Sequence, residues 1–233
     1  MMNRKQTIVG MVAAALLMAA PVMAQKPTVP NSSYMGKGNP ILPDFHADPE
    51  ILYSNKTKKY YIYSTTDGTP GWGGWQYYCY SSKNLKKWKN EGVVLDAKSD
   101  QISWANGNLW APAAVEVKQK DGSYKYYLYF SARPNDNGRK QMGVAVADSP
   151  TGPFVDLGHP LLAKNHPGCH GQLIDVDVFI DPVSKKPYLY WGNSFMAGAE
   201  LEPSIPSGIL QPTCSQRLFR SFIQASSLVS VQL

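Results

Sequence analysis

Two aspartates stand where apolar strands are about to begin. Asp48, in "NPILPDFHADPEILY" (39–53), lies between Ala47 and Pro49 directly ahead of an apolar run. Proline pushes the residue before it toward an extended backbone, so Asp48 is expected to open a strand from a loop and not to sit in a helix. Asp175, in "IDVDVFIDPVSKKPYLYWGN" (174–193), holds the corresponding place ahead of another such run. A turn carboxylate is the ordinary role of an aspartate in either position. Two carboxylates brought to one pocket would instead be candidates for acid–base chemistry on a bound substrate.

The elements that must position them repeat. "DPEILYSNKTKKYYIYST" (48–65), "APAAVEVKQKDGSYKYYLYFSA" (111–132) and "DVDVFIDPVSKKPYLYWGN" (175–193) each contain an apolar strand, a polar turn and a Tyr-rich strand. Each therefore reads as a hairpin, and the hairpins recur at a spacing of about 65 residues, room for four strands and their loops. Further strand candidates, "WQYYCYSS" and "QMGVAVADS", fall between them, each followed by a short outer segment, "KKWKNEGVVL" and "GPFVDLGHPLL". Four strands per repeat is the make-up of a β-propeller blade. The Tyr-rich runs are apolar on both faces, as strands sandwiched between blades must be, and no stretch after residue 24 has helical periodicity. A two-sheet sandwich is the alternative; it accounts for the strands but not for the long period. In a propeller the first strand of each blade lines the central channel, which would bring Asp48 and Asp175 to one pocket.

"HADPEI" (46–51), "WAPAAVEV" (110–117), "GVAVADSPTGPF" (143–154) and "IDVDVFIDPVSKKPYLYWGN" (174–193) resemble, in order, successive blades of glycoside hydrolase family 43, the five-bladed propeller enzymes that trim xylan and arabinan. The resemblance runs from about Asn39 to Leu201. It implies that Asp48 is the general base that activates water and that Asp175 orients the catalytic acid and tunes its pKa. Inversion places water and proton donor on opposite faces of the sugar, with carboxyls roughly 6.5–9.5 Å apart. A further carboxylate near the acid keeps it protonated by like-charge repulsion. The family usually has Pro after the second aspartate, whereas this chain has Val176 and then Asp177, a competing assignment on the same strand face. Asp175 is preferred because its distance to "FID" and "YLYWG" matches the family frame.

Trp110, at the start of the second inner strand, is a sugar-stacking wall by resemblance and a blade-packing residue by ordinary expectation. Trp72 and Trp75, in the Gly-rich "GTPGWGGWQ", read as exposed loop aromatics of the kind used in recognition. Asn193, after "YLYWG", is a further pocket residue by resemblance. The general acid, a Glu of a later blade in the family, has no counterpart: Glu200 and Glu202 are the only late glutamates and neither stands in such a motif.

The remaining signals bound the reading. "MMNRKQTIVGMVAAALLMAAPVMAQ" has the layout of a secretory signal peptide over residues 1–24, with residues 25–38 as a linker, so the protein is expected to be exported, periplasmic or extracellular, without a membrane span after cleavage. Scattered basic residues, formal net charge +6, read as a solvated surface and not as a nucleic-acid site. The expected partner is an oligo- or polysaccharide. Cys79, Cys169 and Cys214 are too few for a disulfide framework. "HPGCH" (166–170) lacks the fourth ligand a structural zinc needs, so no metal or cofactor is expected. Some family members hold a channel calcium ion through a late-blade histidine, a part not found in this chain.

Past Leu201 the character changes. All 14 Tyr and all 6 Trp lie at or before Trp191, and residues 202–233 are Ser-rich. The expected organisation is a partial propeller over 39–201, about the first three blades, followed by a tail foreign to the fold, as a frame disruption would produce. Such a chain is expected to expose apolar faces and to show little activity; the alternative is a non-catalytic carbohydrate-binding propeller or an inactive remnant.

Overall fold

The computed structural model describes residues 41–67, 73–163, 172–193, 196–203 and 210–212. Every described element is a β-strand. The first sheet comprises β1 (His46–Ser54), β2 (Lys59–Thr66), β3 (Gln76–Ser82) and β4 (Lys89–Asp96). The second comprises β5 (Ala105–Lys118), β6 (Tyr124–Pro134), β7 (Gln141–Ala147) and β8 (Val155–Asp156), and the third β9 (Asp177–Ile180), β10 (Pro187–Trp191), β11 (Ala197–Pro203) and β12 (Leu210–Pro212). Within each sheet neighbouring strands follow chain order and pair antiparallel. Three four-stranded meanders in series are three propeller blades.

The Tyr-rich strands are what joins the blades. Successive residues of a strand point to opposite faces. On β6, Tyr126, Leu128 and Phe130 enter a core shared with Tyr61, Tyr63 and Tyr77 of the first sheet. Their alternates Tyr127 and Tyr129 enter a second core with Leu189 and Trp191 of the third and with Leu173 and Val176 of the segment leading into it. Both faces of β6 are therefore buried, which explains an apolar run without polar alternation. On β2 the odd residues face the second sheet, and Ile62 faces outward under Leu42, Tyr80 and Trp88.

The third sheet runs past the boundary expected at Leu201. β11 continues to Pro203 and pairs with β12 through Leu201↔Pro212, Glu202↔Gln211 and Pro203↔Leu210. Residues 202, 203 and 210–212 thus supply backbone to the outer edge of this blade, a role that backbone hydrogen bonds support without the aromatic alternation that marks the inner strands. Apolar side chains remain uncovered on the outer sheets: Ile51 and Tyr53 on β1, and Phe179 on β9, are each roughly half exposed.

A carboxylate from the second blade holds the first turn of the chain. Glu116 of β5 accepts hydrogen bonds from the hydroxyls of Ser54 and Tyr126 and from the backbone N–H of Asn55, at the β1–β2 turn. Ser54 and Tyr126 are almost wholly buried, so these hydroxyls rely on protein partners. Replacing Glu116 with Ala should cost about 1–3 kcal/mol, measured as a lowered urea midpoint at unchanged slope, whereas Glu116→Gln, which keeps an acceptor, should cost less. An unshifted midpoint in Glu116→Ala would show that the clip contributes nothing.

Candidate active site

Asp48 lies inside β1, at a bulge between Ala47 and Glu50, with φ 47°. The extended conformation expected before Pro49 is not adopted. The bulge releases one residue from the ladder, and a left-handed backbone there turns the chain while leaving the carboxylate exposed. Aspartate tolerates this region better than most residues. Ala111, before Pro112, has φ 40°, and Asp175, just ahead of β9, has φ 57°. In all three blades the left-handed residue thus stands two residues ahead of the regular ladder of the inner strand, at Glu50↔Tyr63, Ala113↔Tyr129 and Asp177↔Tyr190. It gives Asp48 and Asp175 the same place in their blades and leaves Asp177 two residues further along, at the first residue of β9.

Around Asp48 the contacts cross from blade to blade. The Thr65 hydroxyl donates to Asp48 Oδ2 at 3.4 Å and accepts from the N–H of Ala111 at 2.9 Å, so the backbone of the second blade sets the direction of the hydroxyl. Tyr77, fully buried, donates its hydroxyl to the carbonyl of Trp110 at 2.9 Å. Burial, and then the charge of Asp48, raises that phenol well above its ordinary pKa, so it stays a donor. A shallow cavity of about 190 Å³ opens here, lined by Ala47, Asp48, Thr65, Thr66, Asp67 and Trp110. It is smaller than the roughly 300 Å³ at which enclosed ligand pockets begin, and so forms one wall of a site.

Asp175 does not line this cavity. The single pocket expected for both carboxylates is therefore not formed among the described residues, because the lining comes from the first two blades alone. Asp175 is exposed, and Asn193 Nδ2 donates to its Oδ2 at 3.2 Å, which brings together two of the residues singled out in sequence. Trp110 is half-buried in the cavity wall with the Lys140 ammonium 3.4 Å above its ring. Trp75 is not the exposed loop aromatic expected: it packs on the core between the first two blades, and Lys98 covers its ring at 3.4 Å. Trp72 and "HPGCH" lie outside the described residues, and among those described no group of three or more His, Cys, Asp or Glu is placed to hold a metal ion.

Sequence reading missed Glu50, Thr65 and Lys140. Thr65 pairs with Ala47 across the hairpin, a register that only the bulge at Asp48 defines. Burial, and then the charge of Asp177, pushes Glu50 up to about 7 from its ordinary 4.5. Below pH 4.5 the carboxyl is protonated folded or unfolded. Between 4.5 and 7 only the folded chain keeps the proton, so Glu50 lowers stability progressively as pH rises through this window and adds no further slope above it. The melting temperature of Glu50→Gln relative to the parent should therefore climb from pH 4.5 to 7; a pH-independent difference would show that Glu50 titrates normally.

A sequence profile of the glycosyl hydrolases of family 43 matches residues 37–208. The chain belongs to family 43. The match, like β12, extends past Leu201. Over 184 residues the chain is 32% identical to an arabinoxylan arabinofuranohydrolase of Bacillus subtilis, covering 69% of this chain and 34% of that protein. It is 42% identical over 103 residues to xylosidase/arabinosidase 43A of Humicola insolens, covering 44% of this chain and 27% of the relative. Among solved structures, a family 43 arabinoxylan arabinofuranohydrolase from Bacillus subtilis in complex with cellotetraose superposes with a TM-score of 0.63 at 26% identity, over 77% of this chain and 42% of that one. A family 43 enzyme from Xanthomonas citri complexed with xylotriose gives 0.55 at 26% identity, over 68% and 51%. The chain thus spans about a quarter to a half of the length of these family 43 proteins, and its three sheets are part of the family's five-bladed propeller.

Proposed function

We propose that this family 43 chain is exported and that its site serves inverting hydrolysis of O-glycosidic bonds in plant-type polysaccharide, β-xylosides or α-L-arabinofuranosides. One observation carries the reading: Asp48 and Asp175 share a left-handed backbone two residues ahead of the regular ladder of their inner strands, with Asp48 in a cavity walled by Trp110. In this reading Asp48 is the general base. It accepts a proton from water as the water attacks the anomeric carbon, with Thr65 holding Oδ2. Asp175, held by Asn193, orients and tunes the acid. Trp110 offers an aromatic face to the sugar ring. The names of the relatives support the substrate class. The apolar run within residues 1–24 supports export.

No residue of this chain is assigned as general acid. Loss of such assistance alone removes about 10²–10⁴-fold in rate. The discriminating substrates are therefore dinitrophenyl β-xyloside and dinitrophenyl α-L-arabinofuranoside, whose leaving groups depart without a proton. The chain should turn over one of them slowly, and Asp48→Ala should abolish that turnover while retaining binding of xylo-oligosaccharide. Equal turnover in Asp48→Ala, or none in the parent chain, would remove the hydrolytic reading. Retained oligosaccharide binding would then favour a binding propeller built on Trp110.

A further inference from the structure

Beside Trp110 lies a cationic corner that the hydrolytic reading does not use. Lys140 precedes β7 and Arg133 is the penultimate residue of β6, and both stand at the end of the second blade that carries Trp110. The Lys140 ammonium sits 3.4 Å over the Trp110 ring, and its backbone N–H donates to Gln172 Oε1 at 3.4 Å. Arg133 is anchored by Nε donating to Asn106 Oδ1 at 3.1 Å, and its guanidinium lies across Gly107, where an added Cβ would come within 3.3 Å of Nη2. Neither cation forms an ion pair with a carboxylate among the described residues.

We propose that Lys140 and Arg133, beside Trp110 at the rim of the Asp48 cavity, form an accessory subsite for a saccharide that carries a carboxylate, a uronic acid substituent. The proposal rests on the reading of this site as a saccharide site and names which saccharides it favours. Neutral sugars present only hydroxyls, which do not relieve the repulsion between two neighbouring cations. A carboxylate does. The planar guanidinium fork matches its two oxygens, and an ammonium beside an aromatic wall reaches a group on the edge of a stacked ring. Lys140 has already lost water and rotamer freedom against Trp110, so less remains to be lost on binding. Burial, and then the Arg133 charge, pull its ammonium down to about 8, the expected mark of a cation without an anionic neighbour. Asn106, the partner of Arg133, also lines a separate groove of about 490 Å³ with Lys98, Ser99, Asp100 and Asn135.

The test is calorimetric titration of the full chain with a neutral xylo-oligosaccharide and with one of equal length carrying a single glucuronic acid, with acetate as free carboxylate. The acidic oligosaccharide should bind about tenfold tighter at low salt, the equivalent of one charge-assisted hydrogen bond. That ratio should fall toward one in about 0.5 M salt and in Lys140→Gln and in Arg133→Gln separately. Equal affinity for the two oligosaccharides would overturn the subsite and leave the saccharide reading standing. No binding of either would overturn both. A preference that survives in both variants, or acetate competing as well as the acidic oligosaccharide, would also overturn it, the latter showing an adventitious ion only.

Discussion

From Tyr126 to Ala132 strand β6 has no solvent face, and the organisation of the chain depends on that burial. A propeller blade is a twisted sheet that covers a neighbour on each side, so its middle strands must be apolar on both faces. Tyrosine suits this place because its ring fills the space between blades and its hydroxyl can reach a polar group at the margin. Tyr63 donates to the carbonyl of Pro150 at 2.6 Å and Tyr77 to that of Trp110, each across a blade boundary, and the Tyr126 hydroxyl lies 3.1 Å from that of Ser54 across the same boundary. Non-directional packing and directed hydrogen bonds therefore act on the same contacts. Together they set the angle at which one blade meets the next.

The site follows from that packing. An inner strand that simply alternated would divide its side chains between the two faces of the sheet. A left-handed residue at Asp48, Ala111 and Asp175 breaks the alternation at the same step in each blade. Such a backbone carries a cost for a residue with a Cβ and persists only where the surroundings over-determine it. At Ala111 the surroundings are visible: its N–H is taken by Thr65, and the residue on either side is tied down by Pro112 and by the Tyr77 bond to Trp110. The strained step in the second blade therefore orients the hydroxyl that holds Asp48 in the first. Neither blade forms this site alone.

Electrostatics divide the channel into two regions. Beside Trp110, Lys140 and Arg133 form no ion pair among the described residues. Deeper along β1, Glu50 lies in the field of Asp177 and is pushed up to about 7. Asp175 and Asp177 are two residues apart, yet one is tied to Asn193 and the other acts on Glu50. The placement of these charges depends on where each strand leaves its loop.

Blade count, strand positions and the correspondence of Asp48 with Asp175 were legible in the residue pattern alone. Apolar periodicity and turn chemistry are local, and three copies of one pattern reinforce each other. The pairing of Asn193 with the same blade as Asp175 was legible for the same reason, since both belong to one hairpin unit. It took packing in three dimensions to make Asp48 left-handed before a proline, to turn Trp75 inward under Lys98 and to set Lys140 over Trp110. It also took that packing to carry the third sheet on through β12, where backbone pairing needs no aromatic signature. These features arise from contacts between segments far apart in the chain, whose free energy outweighs the local preference of each residue, and a linear pattern carries no record of such contacts.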